Sequence, residues 1–399
     1  MMRVLLTGGG TAGHVNPALA IAQTIRRNDP LAVIEFVGVE TGKETELVPR
    51  EGFRLHFVDS LGFDWSIRPS AIVKNMRAAW MALRSPSSEK TLRILREFQP
   101  DLVIGTGGHA CWPLMAAASE MGIKTALHES NAKPGLAVRR LKRRVDRIWV
   151  NFEATLAKLG NPENAVRVGN PLRGDFGGFS KEEARKRLGI SKDAFFLLSF
   201  GGSLGAEYVN LAVLELMKEF SSKHPNVLHL HGTGKRDYEN IRSRFEVAGL
   251  HQFSQCRIEE YLYDMPLQMA AADLVISRAG AMSLSELALL KKASVLIPSP
   301  YVAANHQYLN AVSIAEKGGA ALVKETKNMK PQEVKEMERA LIDAVQRLYR
   351  DPDARSAMEE RVAAFAMPDA NRLIWEEIQL LTGKGDLQSS LAPKETTKK

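Results

Sequence analysis

Cysteine is nearly absent: Cys111 and Cys256 are the only two in 399 residues. Two thiols cannot build a disulfide framework, and such sparing use fits a reducing cytoplasm. No uncharged apolar run reaches the roughly 18 residues of a transmembrane helix. The start of the chain does not combine a basic region, an apolar core and a small-residue cleavage site, so no secretory signal is expected. No glycine-rich turn continues into Gly-Lys-Ser/Thr, which excludes a Walker A loop. No Asp-x-Asp pair sits at a strand end and no compact His/Asp/Glu cluster stands out, so neither metal nor other cofactor is expected. RNA-recognition, zinc-finger and helix-turn-helix signatures are missing too, and nucleic acid is not an expected partner.

What remains is ordinary for a folded protein, with 45% apolar and 25% charged residues and a length that suggests two domains. The net charge of +8 leaves acidic partners open. It is concentrated in "KPGLAVRRLKRRVDR", Lys133 to Arg147, where seven Lys or Arg face a single Asp.

The first half alternates apolar strands with helices. "RVLLTG", "AVIEFVGVE", "PDLVIG", "IKTALHE", "DRIWVNF" and "AVRVGNP" read as strands, and "NPALAIAQTIRR" as a helix with Pro17 in its first turn. The pattern restarts near Ala194 with "AFFLLSF", followed by "NVLHLHGT", "ADLVISRAG", "ASVLIPSP" and "AALVKE". Buried strands alternating with helices specify an α/β protein with parallel sheets covered on both faces. The Gly-, Pro- and charge-rich stretch between, about 170 to 190, is the expected domain boundary.

Glycine turns follow the leading strand of each half. Gly8, Gly10 and Gly13 spell the dinucleotide fingerprint literally, yet the nearest suitable acid, Glu40, lies 27 residues past Gly13 rather than about 20, and a histidine follows the last glycine. A nicotinamide cofactor is therefore not expected. Gly201-Gly202-Ser203-Leu204-Gly205 has the makings of a phosphate nest, with backbone N–H groups converging at a helix start. "SRAGAMSLSE" repeats the device: Gly280, then Ala281 and Met282 opening a helix that carries Glu286.

Nine motifs in order, "GGTAGH" (9–14), "ELVP" (46–49), "GTGGHACWP" (105–113), "HESNAKPG" (128–135), "GNPLR" (169–173), "GGSLGA" (201–206), "HGTGKRDYE" (231–239), "ISRAGAMSLSE" (276–286) and "ANHQYLNA" (304–311), resemble the MurG family of peptidoglycan glycosyltransferases. The likeness runs from about Arg3 to Ala370. That family moves N-acetylglucosamine (GlcNAc) from UDP-GlcNAc to lipid I, forming lipid II. The resemblance implies a GT-B fold, two doubly wound Rossmann-like domains facing an interdomain cleft. Its expected parts are an acceptor-binding, membrane-associating domain at 1–170 and a UDP-GlcNAc-binding domain at 171–365. A closing helix within 366–381, returning to the first domain, and a disordered tail at 382–399 complete the expectation.

Carried over by position, Ser203 falls on the family's diphosphate-contacting serine, Arg173 on a donor-site arginine, and Glu286 on the ribose-binding glutamate. The Leu262 backbone falls where uracil is read, and His306, Gln307 and Asn131 where the sugar is held. Thr11, Gly13 and His14 belong to the loop at the reacting centre, while Gly280, Ala281 and Met282 lie beside the diphosphate. Gly108 and His109 fall on the acceptor side. The chain departs from the family pattern at His109, Trp112, Ser130 and Ala279. His14 is the candidate general base, since a neutral imidazole accepts protons near pH 7; a helix-start packing role is the competing reading. His128 and Glu129 either orient a substrate hydroxyl or satisfy buried backbone groups.

A lipid-linked acceptor implies an anionic inner-leaflet surface and a peripheral place on the cytoplasmic face of the membrane, near cell-wall synthesis and division proteins. Ile72, Met76, Trp80 and Leu83 form one helical stripe flanked by Arg77 and Arg84. With Arg140 and Arg143 of the basic run, the stripe is expected to meet lipid, although a core-facing stripe has the same spacing. Two rival functions remain: a GT-B transferase with another lipid or natural-product acceptor, and a non-catalytic homologue that binds sugar nucleotides.

Overall fold

The computed structural model describes residues 1–60, 76, 88–174, 176–202 and 204–383. Ser203, Ile72, Arg77, Trp80, Leu83, Arg84 and residues 384–399 of the expected tail lie outside the described residues; Met76 is described and exposed. The chain forms two compact units, Met1–Pro171 with the segment from Asp369 onward, and Leu172–Pro368. Among the described residues no helix is long and apolar enough to cross a membrane.

In the first unit, β1 (Arg3–Thr7), β2 (Val33–Gly38), β3 (Arg54–Phe57), β4 (Leu102–Gly105), β5 (Lys124–Glu129), β6 (Arg147–Val150) and β7 (Ala165–Arg167) pair in parallel in the order β3-β2-β1-β4-β5-β6-β7. Successive residues of a strand face opposite sides, and here both sides are covered. Leu5 joins a core with Ile94, Phe98 and Leu114, whereas Leu6 joins one with Leu19, Ile21 and Ile25. The helix Ala370–Leu381 supplies Ile374 and Ile378 to the second of these cores. The Trp149 indole N–H donates to Glu377 Oε2 at 3.2 Å, and Arg147 Nε pairs with that carboxylate at 3.0 Å.

The helix after β1 spans Ala12–Asn28. It starts four residues earlier than the sequence suggests, so Pro17 lies in its second turn and His14 in its first. Thr11, in extended backbone, is the residue before the helix, and the His14 amide donates to its carbonyl at 3.0 Å.

The second unit repeats the architecture with β8 (Phe195–Phe200), β9 (Val227–Gly232), β10 (Cys256–Glu259), β11 (Leu274–Ser277), β12 (Ser294–Leu296) and β13 (Ala321–Leu322) in the order β10-β9-β8-β11-β12-β13. Leu197 and Ile276 pack with Val213, Leu216, Leu341 and Val345 in its core. In each sheet the strand order runs outward both ways from one central pair, β1 with β4 and β8 with β11. Connections leave such a pair in opposite directions and open a crevice beyond its carboxyl ends, where ligands bind in folds of this kind.

Candidate active site

Two glycine turns close on each other beyond β1 and β4. Gly10 has φ +91° and Gly107 φ +95°, backbone that favours glycine. A Cβ on Gly10 would lie 2.8 Å from the His109 ring, and one on Gly107 would lie 2.9 Å from His14 Nδ1. Each histidine therefore rests against the glycine of the opposite turn. His14 Nδ1 lies 3.1 Å from the Thr106 carbonyl oxygen, and the Thr106 hydroxyl donates to the His14 carbonyl at 2.7 Å. A carbonyl only accepts, so Nδ1 carries the proton and the neutral ring keeps its lone pair on Nε2. His14 is half-buried, and loss of solvent pulls its pKa below the ordinary 6.5; the Thr106 carbonyl works against this, His109 adds to it, and Glu44 opposes it. Thr11 and Gly13 are exposed at the same turn, and Gly108 (φ +81°) is half-buried.

The sequence reading passed over one residue here. Glu44 opens the helix Glu44–Arg50, is 1% exposed, and accepts the Gly10 N–H on Oε2 and the Val39 N–H on Oε1, each at 2.9 Å. Its only local hint is the glycine at 42, since the turn it holds lies 34 residues earlier.

His128 and Glu129 are both buried, and their contacts fit the second of the two readings, the satisfaction of buried backbone groups. His128 is fully buried: Nε2 meets the Gly169 carbonyl at 2.9 Å, Nδ1 lies 3.3 Å from Ser130 Oγ, and burial lowers its pKa to about 4. The Glu129 carboxylate is turned into its own loop. Oε1 accepts from Asn131 N and Nδ2 at 3.0 and 3.1 Å, and Oε2 from Gly135 N at 2.7 Å. Burial raises its pKa, against the pull of those three hydrogen bonds. The pair satisfies backbone and shapes the loop that carries half-buried Asn131.

In the second unit a cavity of about 180 Å³ opens beyond β8 and β9, lined by Phe200, Gly202, Gly232, Gly234, Leu262 and Glu286 among others. Three expected donor-side features thus share one space: Gly202 of the second glycine turn, Leu262 and Glu286. Gly232 makes room for Leu262, because a Cβ there would lie 2.8 Å from Leu262 Cγ. Gly205 (φ +87°) and Gly234 (φ +80°) press their turns together. Buried Asn210 ties them by donating to the Thr233 carbonyl at 3.0 Å and to Asp237 Oδ2 at 3.2 Å. Glu286 is half-buried on the helix Ala281–Leu289, and burial raises its pKa to about 7.

Gly280 is the residue before that helix, so the amides of Ala281 and Met282 form its positive end. Asn310 Nδ2 reaches the Ala279 carbonyl at 3.5 Å, joining this turn to the helix His306–Ala315. On that helix His306 is half-buried, and the Gln307 side-chain oxygen accepts the Ser299 N–H at 2.8 Å. Arg173 is half-buried in the segment after Pro171. Among the described residues, no group of three or more His, Cys, Asp or Glu is arranged to hold a metal ion.

Residues 4–150 match the Glycosyltransferase family 28 N-terminal domain, and residues 196–374 the Glycosyltransferase family 28 C-terminal domain. A UDP-N-acetylglucosamine--N-acetylmuramyl-(pentapeptide) pyrophosphoryl-undecaprenol N-acetylglucosamine transferase of Acetivibrio thermocellus is 38% identical over 378 residues, 95% of this chain and 98% of the relative. A relative of the same description from Desulforudis audaxviator is 37% identical over 386 residues, 96% of this chain and all of the relative. Among solved structures, Acinetobacter baumannii MurG aligns with a TM-score of 0.69 at 22% identity, covering 95% of this chain and 100% of that one. The UDP-GlcNAc 2-epimerase of Neisseria meningitidis bound to UDP-GlcNAc aligns at 0.61 with 14% identity, over 95% and 100%. At these identities the two structures speak for the fold alone, and that fold is GT-B, built from two Rossmann-like α/β domains. Likeness to curated transferases along nearly their whole length carries the assignment further: this chain belongs to the MurG family of N-acetylglucosaminyltransferases, within glycosyltransferase family 28.

Proposed function

We infer that this protein transfers GlcNAc from UDP-GlcNAc to lipid I, the undecaprenyl-pyrophosphoryl-MurNAc-pentapeptide, and so forms lipid II. The observation that carries this reading is the near-complete coverage of transferases of that specificity at 37–38% identity. The second unit takes the nucleotide, with the Leu262 backbone against uracil and the Glu286 carboxyl accepting from the ribose hydroxyls. The first unit presents the acceptor to the His14 turn.

Transfer is a direct displacement that inverts the anomeric carbon. His14 Nε2 takes the proton of the MurNAc C4 hydroxyl as its oxygen forms the new bond to that carbon. The bond to the diphosphate oxygen breaks, and its electron pair leaves with UDP. The Gly201–Gly205 turn with Ser203, the helix start at Gly280 to Met282, and Arg173 stabilise the departing charge. One such donor is worth on the order of 3 kcal/mol in the transition state. His306, Gln307, Asn131, Thr11 and Gly13 hold the sugar; Gly108 and His109 meet the acceptor.

We place the protein peripherally on the cytoplasmic face of the membrane. Arg139, Arg140 and Arg143 support this, being exposed and, among the described residues, without an ion-pair partner. Mass spectrometry of products formed from UDP-GlcNAc and lipid I tests the reaction. Lipid II is the expected product, with kcat at least about 100-fold lower in His14→Ala. Turnover only on another lipid, or UDP binding without transfer, would replace this reading by one of its rivals.

A further inference from the structure

The Glu44 carboxylate lies almost wholly out of solvent, and among the described residues no cation pairs with it. Its surroundings are backbone. Beyond the two N–H groups it accepts, three glycines make its space: a Cβ at Gly9, Gly38 or Gly42 would lie 2.3, 2.4 or 2.0 Å from Glu44 side-chain atoms. A carboxylate taken out of water with two hydrogen bonds is a costly way to fill a gap, and an apolar side chain would cost less. An apolar side chain, however, would leave the Gly10 N–H unheld. Gly10 stands against the His109 ring, and the helix that carries His14 begins two residues later.

We propose that Glu44 is a positioning residue for the transfer reaction, pinning the first glycine turn through Gly10 and with it the start of the helix that carries His14. The proposal rests on His14 being the base. Burial and His109 both disfavour a proton on His14, and Glu44 favours one. Removing its charge therefore makes His14 a weaker base. Removing its acceptor oxygen loosens the turn. These two effects separate experimentally.

Glu44→Gln keeps the size of the side chain but loses the charge and turns one acceptor into a donor. Its kcat is expected to fall about 10- to 100-fold while the KM for UDP-GlcNAc stays within about twofold. The acid limb of its pH–kcat profile should move to lower pH. Gly42→Ala pushes the carboxylate aside and leaves its charge, so kcat should fall with the limb in place. Parental circular dichroism and UDP affinity certify that each variant is folded. Parental kcat in either folded variant overturns the proposal, as does an unmoved acid limb in Glu44→Gln. His14→Ala is the control for the underlying reading, because there the limb should vanish. If it persists, the base assignment fails whatever Glu44 does; if it vanishes yet stays put in Glu44→Gln, only the role of Glu44 fails.

Discussion

Burial raises the Glu286 carboxyl from its ordinary 4.5 to about 7, so near neutral pH it is only partly ionised. The consequence for stability has a definite sign. Below about pH 4.5 the folded and unfolded chains both carry the proton. Between pH 4.5 and 7 the unfolded chain ionises while the folded one keeps its proton, so stability is lost as pH rises through that window and levels off above it. Glu286→Gln, always neutral, escapes the loss. It should gain on the order of 1–3 kcal/mol over the parent at pH 8 and almost nothing at pH 4. Calorimetry at the two pH values measures this, and equal offsets would count against burial as the cause. The same variant should bind UDP more weakly, having exchanged a carboxylate for an amide.

Residues on glycine turns were legible because the turn and its flanking strand announce each other within ten positions. Leu262 and Glu286 line one cavity, and His14 lies against Gly107 of the facing turn. Glu44 was illegible because its task is a contact across 34 residues. For His128 and Glu129 two readings stayed open, because histidine and glutamate after a strand look the same in sequence whether they turn toward a ligand or toward backbone. Here Glu129 holds its own loop and His128 meets the Gly169 carbonyl.

At the level of elements, the strands that escaped notice are β3 and β10, which occupy the same edge of their respective sheets. An edge strand is covered less completely, so it needs no unbroken apolar run. "RLHF" and "CRIE" accordingly interleave charge with apolar residues, and Arg54, Arg257 and Glu259 are not buried. The early helix start at Ala12 was hidden by Pro17, which marks a first turn by rule and here falls in the second. The helix Ala370–Leu381 does carry a clear apolar stripe, but a stripe does not say which core it completes. Ile378 is fully buried in the first unit. Ile378→Ala should destabilise that unit by about 2–4 kcal/mol in urea titrations, with UDP affinity unchanged. A parental midpoint would mean that the helix adds nothing to that core.

For the whole molecule, the charge of +8 acts where it is exposed and uncompensated. Lys142 is turned inward to the Leu159 carbonyl and Arg144 pairs with Glu120, but Arg139, Arg140 and Arg143 are exposed. Each basic side chain near an anionic bilayer contributes about 1 kcal/mol. Arg140→Glu with Arg143→Glu should therefore reduce sedimentation with phosphatidylglycerol vesicles at least about tenfold at low salt. Neutral vesicles should not distinguish the variant from the parent. Undiminished binding of the variant to anionic vesicles would remove this surface from the membrane contact.

The chain leaves the first unit after Pro171 and rejoins it at Asp369. A ribosome building the protein thus emits nearly all of the older half, then an entire second unit, before Ile374, Glu377 and Ile378 arrive to close the face beside Trp149. The half that is begun first is finished last, and until then a nascent chain carries an open apolar wall.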